Sequence, residues 1–248
     1  MYTGPLVVLL LFSLVIGEVV MWWYRADFAQ FELLYRAYHL GQMLLLIVAA
    51  TLLWPRVRGL ASSRWVYGLI LFGLISSFAG DVINSFLIDL SHIIEPQTLL
   101  SVVPFAIAHC LYIAAFWRLG RQGPHPFPAS LILLTVLVWP VLAASLWLIL
   151  VDTGAGPLLK WLSLGYAHMV VLMALCSLWP LRSFGLRAWI AAAAGLVFLL
   201  SDAFFGAWLT EGRGRPLWVS QVIWTTYFVA QVCMMHVPLI GNGRPTGK

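Results

Sequence analysis

Long apolar stretches separated by short polar breaks are the dominant pattern along this chain. Eight of the stretches are long enough to cross a hydrocarbon core of about 30 Å as a helix. They cover residues 5–24, 33–54, 66–88, 99–118, 129–151, 158–180, 186–209 and 216–238. Proline and glycine at the breaks favour turns between them. The pattern predicts a single all-α domain over residues 1–248, a polytopic membrane protein with eight transmembrane helices.

Composition supports a membrane protein and narrows its chemistry. The chain has 248 residues, of which 62% are hydrophobic and 9% are charged, too little charge for the surface of a soluble domain. The first stretch lacks a basic start and a small-residue cleavage site, so we interpret it as a transmembrane helix and not as a removed signal peptide. The three cysteines lie inside apolar stretches without metal-binding spacing. We therefore expect no disulfide framework.

The distribution of charge predicts the orientation in the membrane. With eight crossings, nine of the 14 basic residues and no acidic residue fall on one face. By the positive-inside rule this places both termini in the cytoplasm, and we expect a bacterial inner membrane. The basic residues form no patch, so the net charge of +5 does not indicate nucleic acid, and no protein partner is implied.

Three acidic residues, Glu18, Asp81 and Asp202, lie inside the apolar stretches. Asp81 is about 16 residues into the third predicted helix, and Asp202 is about 16 residues into the seventh. Both helices start at the cytoplasmic face, so the two carboxyls reach a similar depth in the outer half of the bilayer. An ionised aspartate at a helix centre costs about 2.5–3.5 kcal/mol on insertion scales. We therefore predict that Asp81 and Asp202 serve a function; the structural alternative is a pair of acids hydrogen-bonded to neighbouring helices.

A weak internal repeat relates the two acidic helices. Gly80-Asp81 and Ser201-Asp202 are followed by FAIAH, ending at His109, and by YFVAQ, ending at Gln231, about 120 residues apart in each case. The repeat is compatible with two parallel four-helix halves, which would bring the Asp helices together.

Several polar residues of these helices are predicted to position substrate or water. Tyr112 follows His109 by three residues, and Tyr227 precedes Gln231 by four, so each pair shares a helix face. Hydrogen bonds that only join helices are the structural alternative. The full set of predicted positioning residues is His109, Tyr112, Tyr227, Gln231, Asn84, His39 and Glu18.

Four short motifs give the chain a family resemblance. FAGD (78–81), FAIAHCLY (105–112), GLVFLLSD (195–202) and YFVAQ (227–231) occur in this order, and the chain thereby resembles the YhhN-like lysoplasmalogenases, which are eight-helix membrane proteins. The resemblance implies hydrolysis of the vinyl ether bond of lysoplasmalogens, giving a fatty aldehyde and glycerophosphoethanolamine or glycerophosphocholine. For this reaction we predict that Asp81 and Asp202 are the catalytic carboxyl pair. The resemblance also implies a lysophospholipid substrate, membrane lipid as surroundings, and no cofactor or metal. Family members often begin the second helix with Lys-Pro, whereas this chain reads YRAYHLGQ.

Three alternatives remain open at the level of sequence. A proton-coupled transporter of lipids or small molecules would also use acids between two repeats. A metal-dependent intramembrane lipid hydrolase of the ceramidase type would need zinc held by the scattered His39, His109, His168 and His236, without a His-x-x-x-His pair. The family fold could also act on another enol ether or lysolipid.

Overall fold

The structure is a bundle of long α-helices. The computed structural model describes residues 3–23, 28–57, 61–86, 88–93, 97–123, 125, 128–150, 157–210 and 217–243. Within these residues there is no strand, and eight helices have 20 residues or more. In chain order, α1 to α8 are Thr3–Trp23, Phe28–Thr51, Ala61–Asn84, Thr98–Gly120, Ala129–Leu150, Pro157–Cys176, Trp189–Thr210 and Leu217–His236. The predicted all-helical fold is confirmed.

Shorter helical turns join some of the long helices or follow them. Two are α-helical, Trp54–Val57 and Trp179–Phe184, and two are 3-10 turns, Gly185–Ala188 and Val237–Gly243. The sixth predicted helix, 158–180, therefore ends four residues early, at Cys176. Pro180 instead occupies the first turn of a new short helix, where its missing N–H is not needed.

The third helix also ends earlier than the predicted 66–88. It stops at Asn84, and Phe86 has a φ of 55°, in the left-handed region that breaks a helix. The side-chain amide of Gln97 donates to the carbonyl of Ile83 at 2.8 Å and so satisfies the last turn. The length of an apolar stretch does not show where a left-handed residue such as Phe86 ends the helix.

The outer surface of the bundle is apolar, as the composition predicts. Six helical segments of the described chain are long and apolar enough to cross a membrane. One of these, Lys160–Ala207, has 48 residues and contains most of α6 and most of α7, whereas α1 contributes a shorter apolar segment, Val7–Trp23. The structure thus supports a membrane-spanning chain, and eight separate crossings remain a prediction.

The pattern of contacts between helices repeats after four helices. Helix α1 packs on α2 as α5 packs on α6, and α2 packs on α3 as α6 packs on α7. The most extensive contacts are those of α3 with α4 and of α7 with α8, and α8 packs on α2 as α4 packs on α6. The core between these helices is filled by large apolar side chains such as Phe116, Phe198 and Phe228, each fully buried.

Candidate active site

Close packing of α3 on α4 determines where Asp81 lies. A Cβ added at Gly80 would be 2.7 Å from the Phe105 ring, and one added at Gly73 would overlap the Tyr112 ring. Both glycines therefore let an aromatic ring of α4 lie against the α3 backbone. Asp81 follows Gly80 in the last turn of α3, partly buried. Its carboxyl accepts a hydrogen bond at 2.7 Å from the hydroxyl of Tyr227 on α8.

Asp202 on α7 lies in a different polar environment. The hydroxyl of Tyr166 on α6 donates to Asp202 Oδ2 at 3.0 Å. His109 Nε2 on α4 lies 2.9 Å from the Tyr166 hydroxyl and 3.4 Å from the same carboxylate oxygen. The His109 side chain is fully buried, whereas that of Asp202 is 15% exposed. Three helices thus bring an acid, a phenol and an imidazole into mutual contact.

A third set of buried polar groups joins α4 to α3 and α8. The Tyr112 hydroxyl donates to Gln231 Oε1 at 2.8 Å, and Ser77 Oγ lies 3.4 Å from the same hydroxyl. Within the described residues, two buried polar atoms have no hydrogen-bond partner, and they are His109 Nδ1 and Gln231 Nε2. Both atoms belong to residues predicted to position substrate or water, and a buried polar atom left without a partner is a place where a ligand or water is expected to bind.

Aromatic rings enclose the polar groups. The Phe198 ring packs edge-on against His109 and Tyr227, with ring centroids 5.0 and 5.4 Å apart. It also lies 6.3 Å from the Tyr112 ring, and Phe105 lies 6.3 Å from Tyr227. Hydrogen bonds in such an apolar enclosure are stronger than in water, because few water dipoles compete with them.

The two acids form one electrostatic unit. Asp81 and Asp202 are close enough for the charge of one to act on the other, and Asp81 also acts on Tyr112 and Tyr166. The Phe198 ring joins their surroundings, because it contacts Tyr227, which bonds to Asp81, and His109, which lies against Asp202. The six predicted residues Asp81, Asp202, His109, Tyr112, Tyr227 and Gln231 are therefore brought together.

Glu18 and His39 meet in a separate cluster formed by α1, α2 and α8. His39 Nε2 lies 3.3 Å from Glu18 Oε1, and the Tyr35 hydroxyl donates to Glu18 Oε2 at 3.4 Å. The His39 ring stacks on Trp224 at 4.0 Å, and Trp224 lies 5.3 Å from the Tyr227 ring. One tryptophan thus separates this cluster from the carboxyl site.

Asn84, predicted to support Asp81, is partly buried at the end of α3, and its side chain forms no hydrogen bond in the described part of the chain. Conversely, sequence reasoning did not select Tyr166, which contacts both Asp202 and His109. A hydroxyl in the middle of an apolar helix needs a buried partner, and that was the available signal.

The histidines do not converge on one point. His168 Nδ1 bonds to the carbonyl of Leu164, and His236 Nδ1 bonds to that of Val232, each within its own helix. In the described ranges no three side chains of His, Cys, Asp or Glu are grouped as a metal site would require.

Comparisons with known proteins complete this description. No curated protein and no solved structure matches the chain. The YhhN family model matches residues 35–237, which include both carboxyls and their described partners Tyr227, Tyr166 and His109, whereas Glu18 lies outside the match. The chain therefore belongs to the YhhN family.

Proposed function

We propose that this chain is an intramembrane hydrolase that cleaves the vinyl ether bond of lysoplasmalogens to a fatty aldehyde and a glycerophospho-base. The observation that carries the proposal is the pair of carboxyls, Asp81 and Asp202. Each accepts a hydrogen bond from a tyrosine inside an aromatic enclosure. Family membership is consistent with the reaction.

The chemistry of a vinyl ether explains why two carboxyls suit this reaction. Cleavage begins with transfer of a proton to the β-carbon, which converts the ether into an oxocarbenium ion. Water then adds to the α-carbon, and the resulting hemiacetal breaks down to aldehyde and alcohol. One group must supply the proton and an anion must stabilise the cation, which is the division of labour that paired carboxyls provide for the oxocarbenium-like transition states of glycosidases.

The membrane location suits a lysolipid substrate. Eight crossings in two parallel halves, with both termini in the cytoplasm of a bacterial cell, would place the carboxyls in the outer half of the bilayer. A lysolipid could enter sideways between helices, with its hydrocarbon chain among apolar side chains and its head group toward water. The recurrence of helix contacts after four helices supports this arrangement.

The same recurrence also favours a second candidate, a proton-coupled lipid transporter, because many transporters are built from such repeats. The two candidates differ in outcome, because a transporter moves the lipid and leaves its bonds intact.

Aldehyde release tests the proposal directly. We would incubate the purified protein with lysoplasmenylethanolamine or lysoplasmenylcholine and follow the aldehyde by coupled enzymatic reduction. We expect Asp81→Asn and Asp202→Asn each to lower kcat by roughly 10²–10⁴-fold, since each removes a proton-transfer or charge-stabilising group but retains shape. Added chelator should change nothing.

Asp89→Asn is the matched control. Asp89 is exposed beyond the end of α3, and hydrogen bonds from the Ser91 hydroxyl and backbone N–H lower the pKa of its carboxyl, so the substitution removes a real charge away from the site. This variant should keep native activity. If the folded native protein releases no aldehyde, the hydrolase proposal is wrong, and lysolipid flux across vesicles becomes the test of the transporter.

A further inference from the structure

The two carboxyls have unequal partners, and the inequality distinguishes their roles. Asp202 Oδ2 contacts both a phenol and an imidazole, Tyr166 and His109. Asp81 has a single hydrogen-bond partner in the described chain, the neutral hydroxyl of Tyr227, on its Oδ2. Within these contacts, only Asp202 has a neighbour that can carry positive charge.

The direction of the hydrogen bonds around Asp202 follows from donor counting. Tyr166 has one hydroxyl proton, and it is directed at the Asp202 carboxylate. His109 Nε2, which lies 2.9 Å from the Tyr166 oxygen, must therefore carry a proton and act as a donor. Negative charge on Asp202 is therefore stabilised by the hydroxyl of Tyr166, which donates to it, and by the imidazole of His109, whose Nε2 lies 3.4 Å from the same oxygen.

Asp81 lacks this compensation. A carboxylate in an apolar enclosure with one neutral donor leaves most of its charge unsolvated, which is costly, whereas a neutral carboxylic acid is not. The acid form can still accept from Tyr227 on Oδ2 and presents an O–H at Oδ1, for which the described residues offer no partner. This leaves a free donor for a substrate atom.

We infer that Asp81 is the proton donor to the β-carbon, and that Asp202, held by His109 and Tyr166, is the anion that stabilises the cation and takes the proton of the attacking water. The inference rests on the proposed function and assigns a role to each carboxyl. His109 Nδ1, buried and without a partner, is a further acceptor for that water. Tyr166 is a positioning residue.

The protons balance without any reactant other than water. The Asp81 proton bonds to the β-carbon, leaving an Asp81 carboxylate and an oxocarbenium ion. The water oxygen bonds to the α-carbon, and its proton moves to Asp202. The bond between the α-carbon and the glycerol oxygen then breaks, the Asp202 proton moves to that oxygen, and the hemiacetal hydroxyl proton returns to Asp81. Both carboxyls end as they began.

Infrared spectroscopy tests the assignment without depending on activity. A protonated carboxyl has a C=O stretching band, distinct from carboxylate bands, that shifts in D₂O. In substrate-free protein at neutral pH, we expect difference spectra to show that this band is lost in Asp81→Asn and kept in Asp202→Asn. Loss of the protonated-carboxyl band in Asp202→Asn would overturn the assignment. So would a spectrum of Asp81→Asn that keeps every such band of the native protein.

Azide tests the roles in the reaction. Asp202→Ala removes the anion and leaves space, so azide should add to the oxocarbenium ion formed by Asp81. The expected product is the substrate plus HN₃, detected by mass spectrometry, while Asp81→Ala should give none. If Asp81→Ala forms the azide adduct instead, or if neither variant forms it, the placement of water at Asp202 is wrong. Absence of aldehyde from the native protein would refute the hydrolase itself and leave the infrared result standing.

Discussion

At the scale of single residues, hydroxyl groups distinguish this site from an ordinary helix interface. Tyr227 and Tyr166 each direct their proton at a carboxyl oxygen, and Tyr112 directs its proton at Gln231. The bond from Tyr166 goes to the carboxyl that we assign as the anion, and a hydrogen bond to a charged group contributes about 1.5–3 kcal/mol, more than a bond between neutral groups. We therefore predict that these hydroxyls orient the reacting groups of the proposed hydrolase as well as joining helices.

We predict that Tyr166→Phe lowers kcat by about 10–100-fold, the rate equivalent of one hydrogen bond to a charged group, with a smaller change in KM. The variant keeps the ring and loses only the donor to Asp202. Tyr67→Phe is the control, since its hydroxyl donates to the Ala50 carbonyl at 3.2 Å, away from the acids. Both variants should lose similar thermal stability. Equal activity in the two variants would show that Tyr166 only joins helices.

Residue chemistry in the membrane made part of the site predictable. Asp81, Asp202 and His109 stand out because polar groups in an apolar helix are costly, and the repeat added Gln231. Tyr166 was missed because a lone tyrosine in an apolar helix carries no charge, and its partners depend on how α6 packs against α4 and α7. The contact between Glu18 and His39 could not be predicted for the same reason, because it depends on how α1 packs against α2.

At the scale of elements, glycines set the spacing of α3 and α4. We predict that Gly80→Ala lowers the free energy of unfolding by about 1–3 kcal/mol, because the new methyl group would overlap the Phe105 ring. Activity should fall as well, since the next residue is Asp81. Thermal unfolding in detergent and aldehyde release measure the two effects.

Gly68→Ala is the control on the same helix. Nothing lies within 4 Å of a Cβ at Gly68, so this substitution should be neutral or should stabilise α3 by about 0.5–1 kcal/mol through lower chain entropy. Equal destabilisation by both substitutions would show that helix propensity, and not the contact with Phe105, decides the outcome.

Element positions were predictable because apolar length and turn residues are local properties. All eight predicted stretches became long helices, and their ends differ by a few residues. One of these differences, the earlier end of α3, depends on Gln97 reaching back to the Ile83 carbonyl. That contact lies between segments and leaves no periodic signal.

At the scale of the whole molecule, the number of crossings is the open prediction. His92 and His125 are exposed on the links that follow α3 and α4, which eight crossings place on opposite faces of the membrane. In a chain whose three cysteines have been replaced, we expect a membrane-impermeant maleimide to label His92→Cys from outside intact cells. His125→Cys should react only after permeabilisation. Labelling of both positions, or of His125→Cys alone, would contradict the topology.

The recurrence of helix contacts has an evolutionary consequence. The helix frame repeats after four helices, but the side chains around Asp81 and Asp202 do not. A symmetric assembly of two identical four-helix units would give both carboxyls the same neighbours, so neither could specialise. Joining the two units in one gene removes that constraint, because substitutions such as histidine at 109 and glutamine at 231 can be selected independently. One continuous chain of eight helices would thus permit one acid and one anion in a single site.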